Sequence, residues 1–218
     1  MPHSKDLIVV VPDGAICLVV QTLLAERRPS LKIREVKFET LKDPLHDASP
    51  ESRAVTLLRG YLRTHERALI IRDLEGSGWE QRGARRLRER LITTLNQNGW
   101  DLERIQAIVL EPEVEAWLRL DSVHVRELVR DRARQNVSSI ALHFAHQVRQ
   151  IVAAFGGEVC GKPVRPKECF EGVLEYYGIA RSNALYRELA RCESLEGCVV
   201  PSFQEFVNTL RAWFPQDP

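Results

Sequence analysis

Leu7-Ile8-Val9-Val10-Val11-Pro12-Asp13-Gly14 and Ala68-Leu69-Ile70-Ile71-Arg72-Asp73-Leu74-Glu75-Gly76 decide the fold. Each is a short apolar, β-branched run that ends abruptly in acids and a glycine. Continuous apolar runs of this length read as strands buried on both faces, as in a parallel sheet. In such a sheet both strand ends fall on one edge, where ligands bind. Asp13, Asp73 and Glu75 are therefore expected to share that edge. Gathered carboxylates repel unless a cation lies between them, and hard oxygen donors suit Mg²⁺ or Mn²⁺. Acids after strands also cap helices and shape turns, which is the competing reading of each one.

Outward from these runs, strand and helix alternate. Ala15 to Arg27 reads as a helix ended by Pro29, and Lys32 to Phe38 as a strand nearer an edge. Leu41 to Pro50 reads as a loop, and Ser49-Pro50 as the start of a helix running through His65, because proline suits the first helical turn. Ala68 to Arg72 is the next strand, followed by a glycine-bearing loop from Leu74 to Gly83. Leu87, Leu91 and Leu95 recur at helical spacing before Asn98-Gly99, and Ile105 to Leu110 is a fourth strand. The order implies an α/β fold with a mostly parallel four-stranded sheet flanked by helices.

Strand signals stop near residue 120. Ile140, Phe144, Val148, Ile151, Val152 and Phe155 mark an amphipathic helix broken by Gly156-Gly157. Phe170 to Tyr177 and Ser182 to Arg191 read as helices. Ser202-Phe203-Gln204-Glu205 reads as a capping box, opening a helix with Phe203, Phe206, Val207, Leu210 and Phe214 on one face. The expected division is an α/β domain over residues 1–122 and a helical C-terminal region over 123–218 packed on it.

The 218 residues are 44% hydrophobic and 28% charged, an ordinary globular balance, and the net charge of +1 gives no global pull toward nucleic acid. No run approaches a membrane span, and the first six residues lack a signal-peptide pattern. The five cysteines are irregularly spaced without a C-x-x-C pair, against a zinc site or disulfide framework. A reducing cytoplasm is the expected location.

Val11-Pro12-Asp13-Gly14 and Arg72-Asp73-Leu74-Glu75 resemble the acidic motifs of the TOPRIM fold found in topoisomerases, primases and overcoming-lysogenization-defect nucleases. The nearer likeness is to a stand-alone TOPRIM-like family of uncharacterised bacterial proteins, often associated with anti-phage and mobile loci. It extends to Glu113-Val114-Glu115-Ala116-Trp117-Leu118-Arg119-Leu120-Asp121 and to Pro201-Ser202-Phe203. The resemblance implies a metal-dependent phosphodiesterase, a nuclease of bacterial defence, with Asp13, Asp73 and Glu75 catalytic. The same three with Glu115 would hold Mg²⁺ or Mn²⁺. The family usually carries glutamate at position 13 and aspartate at position 75, and Ile16-Cys17 stand where it often has threonine and glutamate. The double exchange reads as compensation within a live site. Equally, it reads as a degenerate copy that acts as an interaction or regulatory subunit, with an ATPase or another defence protein as partner.

Glu111, Glu113 and Glu115 follow the fourth strand. With Pro112 starting a helix, Glu111 and Glu115 are expected one turn apart on one face. Arg82, Arg85, Arg86, Arg88 and Arg90 crowd the helix after the acidic loop, a face suited to a DNA or RNA backbone, or simply a solvated one. Lys162, Arg165 and Lys167, spaced by Pro163 and Pro166, read as a second basic loop for phosphate or a protein partner. His143 and His146 sit three apart on a helix, a pairing that suits a surface or core better than a metal. Cys17 lies in an apolar helix, where an inert thiol is the default. Gly76-Ser77-Gly78 lacks the lysine of a phosphate-binding loop.

Overall fold

The computed structural model describes residues 4–44, 50–111, 113–133, 137–159, 161–192, 195 and 198–216. Ser49, Pro112 and Cys160 fall outside the described residues.

Four strands form one all-parallel sheet: β1 (Lys5–Val11), β2 (Phe38–Lys42), β3 (His65–Asp73) and β4 (Ile105–Leu110), in the order β2-β1-β3-β4. Leu7 to Val11 are fully buried, as a run apolar on both faces requires. Alternation splits the strands between two cores. Leu7, Val9, Val11, Leu69, Ile71, Ile108 and Leu110 face one side, and Ile8, Val10, Ala68, Ile70, Ala107 and Val109 the other.

On the second side lie α3 (Pro50–Leu58) and α4 (Ala84–Gln97), whose Leu87, Leu91 and Leu95 close over the sheet with Trp100. On the first side lies α1 (Gly14–Glu26), followed by the short α2 (Arg28–Leu31). The C-terminal helices join that same core: α5 (Val123–Arg132), α6 (Val137–Ala154), α7 (Pro166–Tyr176), α8 (Asn183–Cys192) and α9 (Pro201–Trp213). One apolar cluster thus runs from Leu7 of β1 to Phe214 after α9. A two-stranded antiparallel hairpin, β5 (Glu158–Val159) and β6 (Lys162–Pro163), links α6 to α7.

The structure corrects three local readings. The edge strand is Phe38–Lys42, and Ile33 instead makes an isolated bridge to Pro215. The helix from Pro50 ends at Leu58 and tightens into a 3₁₀ turn over Arg59–Tyr61, because β3 already begins at His65. There is no capping box at Ser202. Pro201 takes the first helical position, Val200 is the N-cap without a side-chain bond, and the Ser202 hydroxyl instead accepts the Trp117 indole N–H at 3.0 Å. Glu205 is drawn to Arg88 of α4.

Candidate functional site at the carboxyl edge of the sheet

From β1 the chain passes through α1 to β2 on one side, and β3 then adds on the other side of β1. The strand order therefore reverses between β1 and β3. In open α/β sheets ligands bind in the crevice outside the carboxyl ends at that switch point. Asp13 follows β1, and Asp73 and Glu75 end and follow β3, so the topology brings the three sequence-derived acids to the edge of neighbouring strands.

Asp13 is the N-cap of α1. Its backbone is extended and its Oδ1 accepts the Ile16 N–H at 2.8 Å, which also sets a carboxylate at the positive end of the helix. Gly14 lies close to α8, since a Cβ there would come 2.7 Å from Asn183 Nδ2 and would displace that amide. Asn183 opens α8, and at the far ends of the pair Arg191 binds Glu26 at 2.7 and 2.9 Å. Helices α1 and α8 therefore run parallel, both amino ends toward the acidic edge.

Asp73 pairs in register with Leu110, and the following Leu74 N–H donates to Leu110 O at 3.0 Å. The chain then turns tightly. Ser77 Oγ donates to Leu74 O and accepts the Trp79 N–H at 3.1 Å, with Gly76 and Gly78 at φ of 78° and 76°. The left-handed region suits glycine there. The turn leaves Asp73 half-buried and Glu75 exposed.

The acids after β4 do not line one helical face. Glu111 is exposed, Glu113 is extended, and Val114–Trp117 forms a 3₁₀ turn that buries Glu113 and Glu115. Glu113 Oε1 accepts Lys167 Nζ of α7 at 2.8 Å. Glu115 Oε1 accepts the Tyr186 hydroxyl of α8 at 2.5 Å and pairs with Arg181 Nη2 at 3.6 Å. Arg181 Nε in turn donates to the Tyr186 oxygen at 3.0 Å, and the same guanidinium pairs with Glu171. Lys167 and Arg181 thus supply cations to the buried glutamates from the helical half. The pairing of Lys167 with Glu113 and of Tyr186 with Glu115 has no signal in the sequence, because the partners lie 54 and 71 residues apart.

Burial raises the Glu113 carboxyl above its ordinary range; the Lys167 bond offsets part of this, and Glu115 and Glu75 push it up again. The Glu75 carboxylate is therefore within electrostatic reach of Glu113, which ties the β3 and β4 acids into one field. Burial and the Glu115 carboxylate likewise raise Tyr186, keeping its hydroxyl a proton donor.

Asp13, Asp73, Glu75 and Glu115 offer only oxygen donors, the chemistry a hard divalent cation takes. Among the described residues no group of three or more His, Cys, Asp or Glu is arranged to hold a metal. Mg²⁺ often uses only one or two carboxylates and completes its shell with water and substrate phosphate. That mode fits Asp73 with Glu75. Glu115 is already engaged by Tyr186 and Arg181, and Asp13 has one oxygen on its helix cap.

A buried pair beside the site also escapes sequence reading. Asp43, just past β2, accepts Arg72 Nη2 at 2.8 Å, and both side chains are fully buried. Arg53 of α3 reaches the other Asp43 oxygen at 3.1 Å, and the Asp43 N–H donates to Val11 O at 2.9 Å. Arg72 thereby fixes the ends of β1, β2 and β3 on the face opposite Asp73.

The basic residues separate into engaged and outward groups. Arg82 lies 4.9 Å over the Trp79 ring, Arg85 pairs with Glu89, and Arg86 is exposed on α4. The expected second basic loop is instead a hairpin and a helix start. Lys162 lies in β6 and donates to Ala116 O and Leu118 O at 3.0 and 3.2 Å, Arg165 is the exposed N-cap of α7, and Lys167 binds Glu113. His143 and His146 are exposed on α6. Cys17 Sγ lies 3.5 Å from the Thr40 hydroxyl. No helix of the described residues is long and apolar enough to cross a membrane.

Comparison with known proteins yields no matching family model, no matching curated sequence and no matching solved structure.

Proposed function

We propose that the protein is a metal-dependent phosphodiesterase of TOPRIM-like type, acting on DNA or RNA as a nuclease in bacterial anti-phage defence. The observation that carries this reading is the placement of Asp13, Asp73 and Glu75 around the β1/β3 switch point, the position where open α/β sheets bind ligands. Asp73 and Glu75 would hold Mg²⁺ or Mn²⁺. When bound, the ion supplies polarisation of a phosphoryl oxygen and activation of water. Asp13 keeps one oxygen on the Ile16 N–H, and its other oxygen would serve as a further ligand or as acid/base. Lys167 and Arg181 steady Glu113 and Glu115 behind the site, so that the acids after β4 do not add their full repulsion to it. The outward arginines Arg82, Arg85 and Arg86 lie on or before α4, reached directly from the acidic loop, and would attract a phosphodiester backbone.

A second reading rests on that same compensation. Internal cations on Glu113 and Glu115, with the exchanged acids at positions 13 and 75, suit a module that kept the fold and acts as a regulatory or interaction subunit of a defence complex.

The test is cleavage of single- and double-stranded DNA and RNA in Mn²⁺, by the protein and by Asp73→Ala. Metal-dependent cleavage lost in a variant with an unchanged melting temperature supports the enzyme. Full cleavage by Asp73→Ala removes the assigned site, and no cleavage of any substrate favours the subunit reading.

A further inference from the structure

Away from the acidic edge, α6, the β5–β6 hairpin and the segment after the Val114–Trp117 turn enclose a cleft of about 690 Å³. That volume lies within the range of small-molecule sites, about 300–1,000 Å³. Its apolar wall is Leu118, Val148 and Val152, two of them buried core positions. Lys162 holds the hairpin in place as a wall, because its ammonium is spent on the carbonyls of Ala116 and Leu118. Two guanidiniums reach the cleft from different elements. Arg119 is exposed and shares a loose 3.8 Å contact with Asp121. Arg149 projects from α6, exposed, and makes no ion pair with any described residue. Glu158 and Asp121 are the acids that line the same cleft.

An apolar floor beside a guanidinium with no carboxylate partner among the described residues selects a particular ligand chemistry. The floor gains by covering hydrocarbon or aromatic surface, and guanidinium binds carboxylate or phosphate in a bidentate fork. We propose that this cleft is a binding site for an organic anion, with an apolar body against Leu118, Val148 and Val152 and a carboxylate or phosphate head on Arg149. The site is separate from the acidic edge and does not depend on the phosphodiesterase reading. The two share the chain from Glu113 to Asp121, which carries the buried glutamates at one end and the cleft wall at the other.

The probe is 8-anilinonaphthalene-1-sulfonate, an anion with an aromatic body, titrated into the full chain by fluorescence. Decanoate, decyl phosphate and decanol serve as competitors. The expected result is saturable one-site binding, displaced by at least one decyl anion and not by decanol at equal concentration. The better of decanoate and decyl phosphate then separates a carboxylate from a phosphate head. Arg149→Glu, at an exposed position, is expected to weaken binding by about tenfold or more, the scale of losing a charge-assisted contact. Val152→Trp, which fills the cleft, should abolish binding, with Arg149→Glu as the arm that does not disturb the core. The proposal is overturned by absence of saturable binding, by equal affinity in Arg149→Glu, or by equal displacement by decanol.

Discussion

Arg72 and Asp43 meet at 2.8 Å with both side chains fully excluded from solvent, at the carboxyl ends of β3 and β2. A buried charge is tolerable only while it is paired, and removing one partner strands the other. Asp43→Ala is accordingly expected to destabilise the fold by ~3–5 kcal/mol. The double variant Asp43→Leu/Arg72→Met, which removes both charges, should recover much of that loss. Urea unfolding of the two variants checks this, and equal destabilisation by both would show that the charges themselves are not the issue.

Tyr186 holds Glu115 through its hydroxyl at 2.5 Å, a closer contact than the 3.6 Å of Arg181. Tyr186→Phe keeps the ring, which packs edge-on against Phe170, and deletes only the donor. A loss of ~1–3 kcal/mol is expected, the cost of leaving a buried acceptor without its partner. Thermal unfolding is the readout, and a variant as stable as the parent would mean that Arg181 suffices.

Glu113 predicts a pH dependence. Its folded carboxyl is raised above the ordinary 4.5 by burial, net of the Lys167 bond. A raised folded value means that the native state binds the proton more tightly than the unfolded chain. This contribution is therefore fully present below pH 4.5 and is lost as pH rises through the folded value. Lys167 adds the opposite end of the scale. Its raised ammonium, held mainly by the Glu113 bond, stabilises the fold below 10.5 and ceases to do so as pH rises through the higher folded value. Glu113→Gln should flatten both slopes in unfolding measured across pH. An unaltered profile would show that the pair is not linked to folding.

The Trp117 indole donates to Ser202, and the ring packs on Phe203 and Phe206 of α9 at 5.1 and 5.4 Å between centroids. Ser202→Ala leaves that buried N–H without its acceptor. A loss of ~1–3 kcal/mol follows, measurable by chemical unfolding, and no change would mean that the bond is dispensable.

Those two interior contacts also mark where the sequence stops being legible. β1, β3 and β4 can be read because each is a continuous apolar run, and burial on both faces leaves no polar positions to blur it. Phe38-Glu39-Thr40-Leu41-Lys42 is harder to read because an edge strand is only half covered and carries polar side chains on both faces. Ile33 and Val36, which drew the strand assignment upstream, are buried outside the sheet. Ser202-x-x-Glu205 has the spacing of a capping box, but Pro201 claims the first helical position and tertiary partners claim both side chains. At the candidate site, Asp13, Asp73 and Glu75 were readable from their strand ends. Arg181, Tyr186 and Asp43 carry no such signal, and Lys167 reads as a phosphate or partner contact instead of the cation of Glu113, since each acts through a partner that only the packed chain supplies.

A working acidic site at the β1/β3 edge must bind Mn²⁺, and calorimetric titration measures that binding without any substrate. Saturable binding is expected, and it should disappear in Asp73→Ala/Glu75→Ala while the unfolding temperature holds. Binding of the same strength in that double variant would contradict the assigned site.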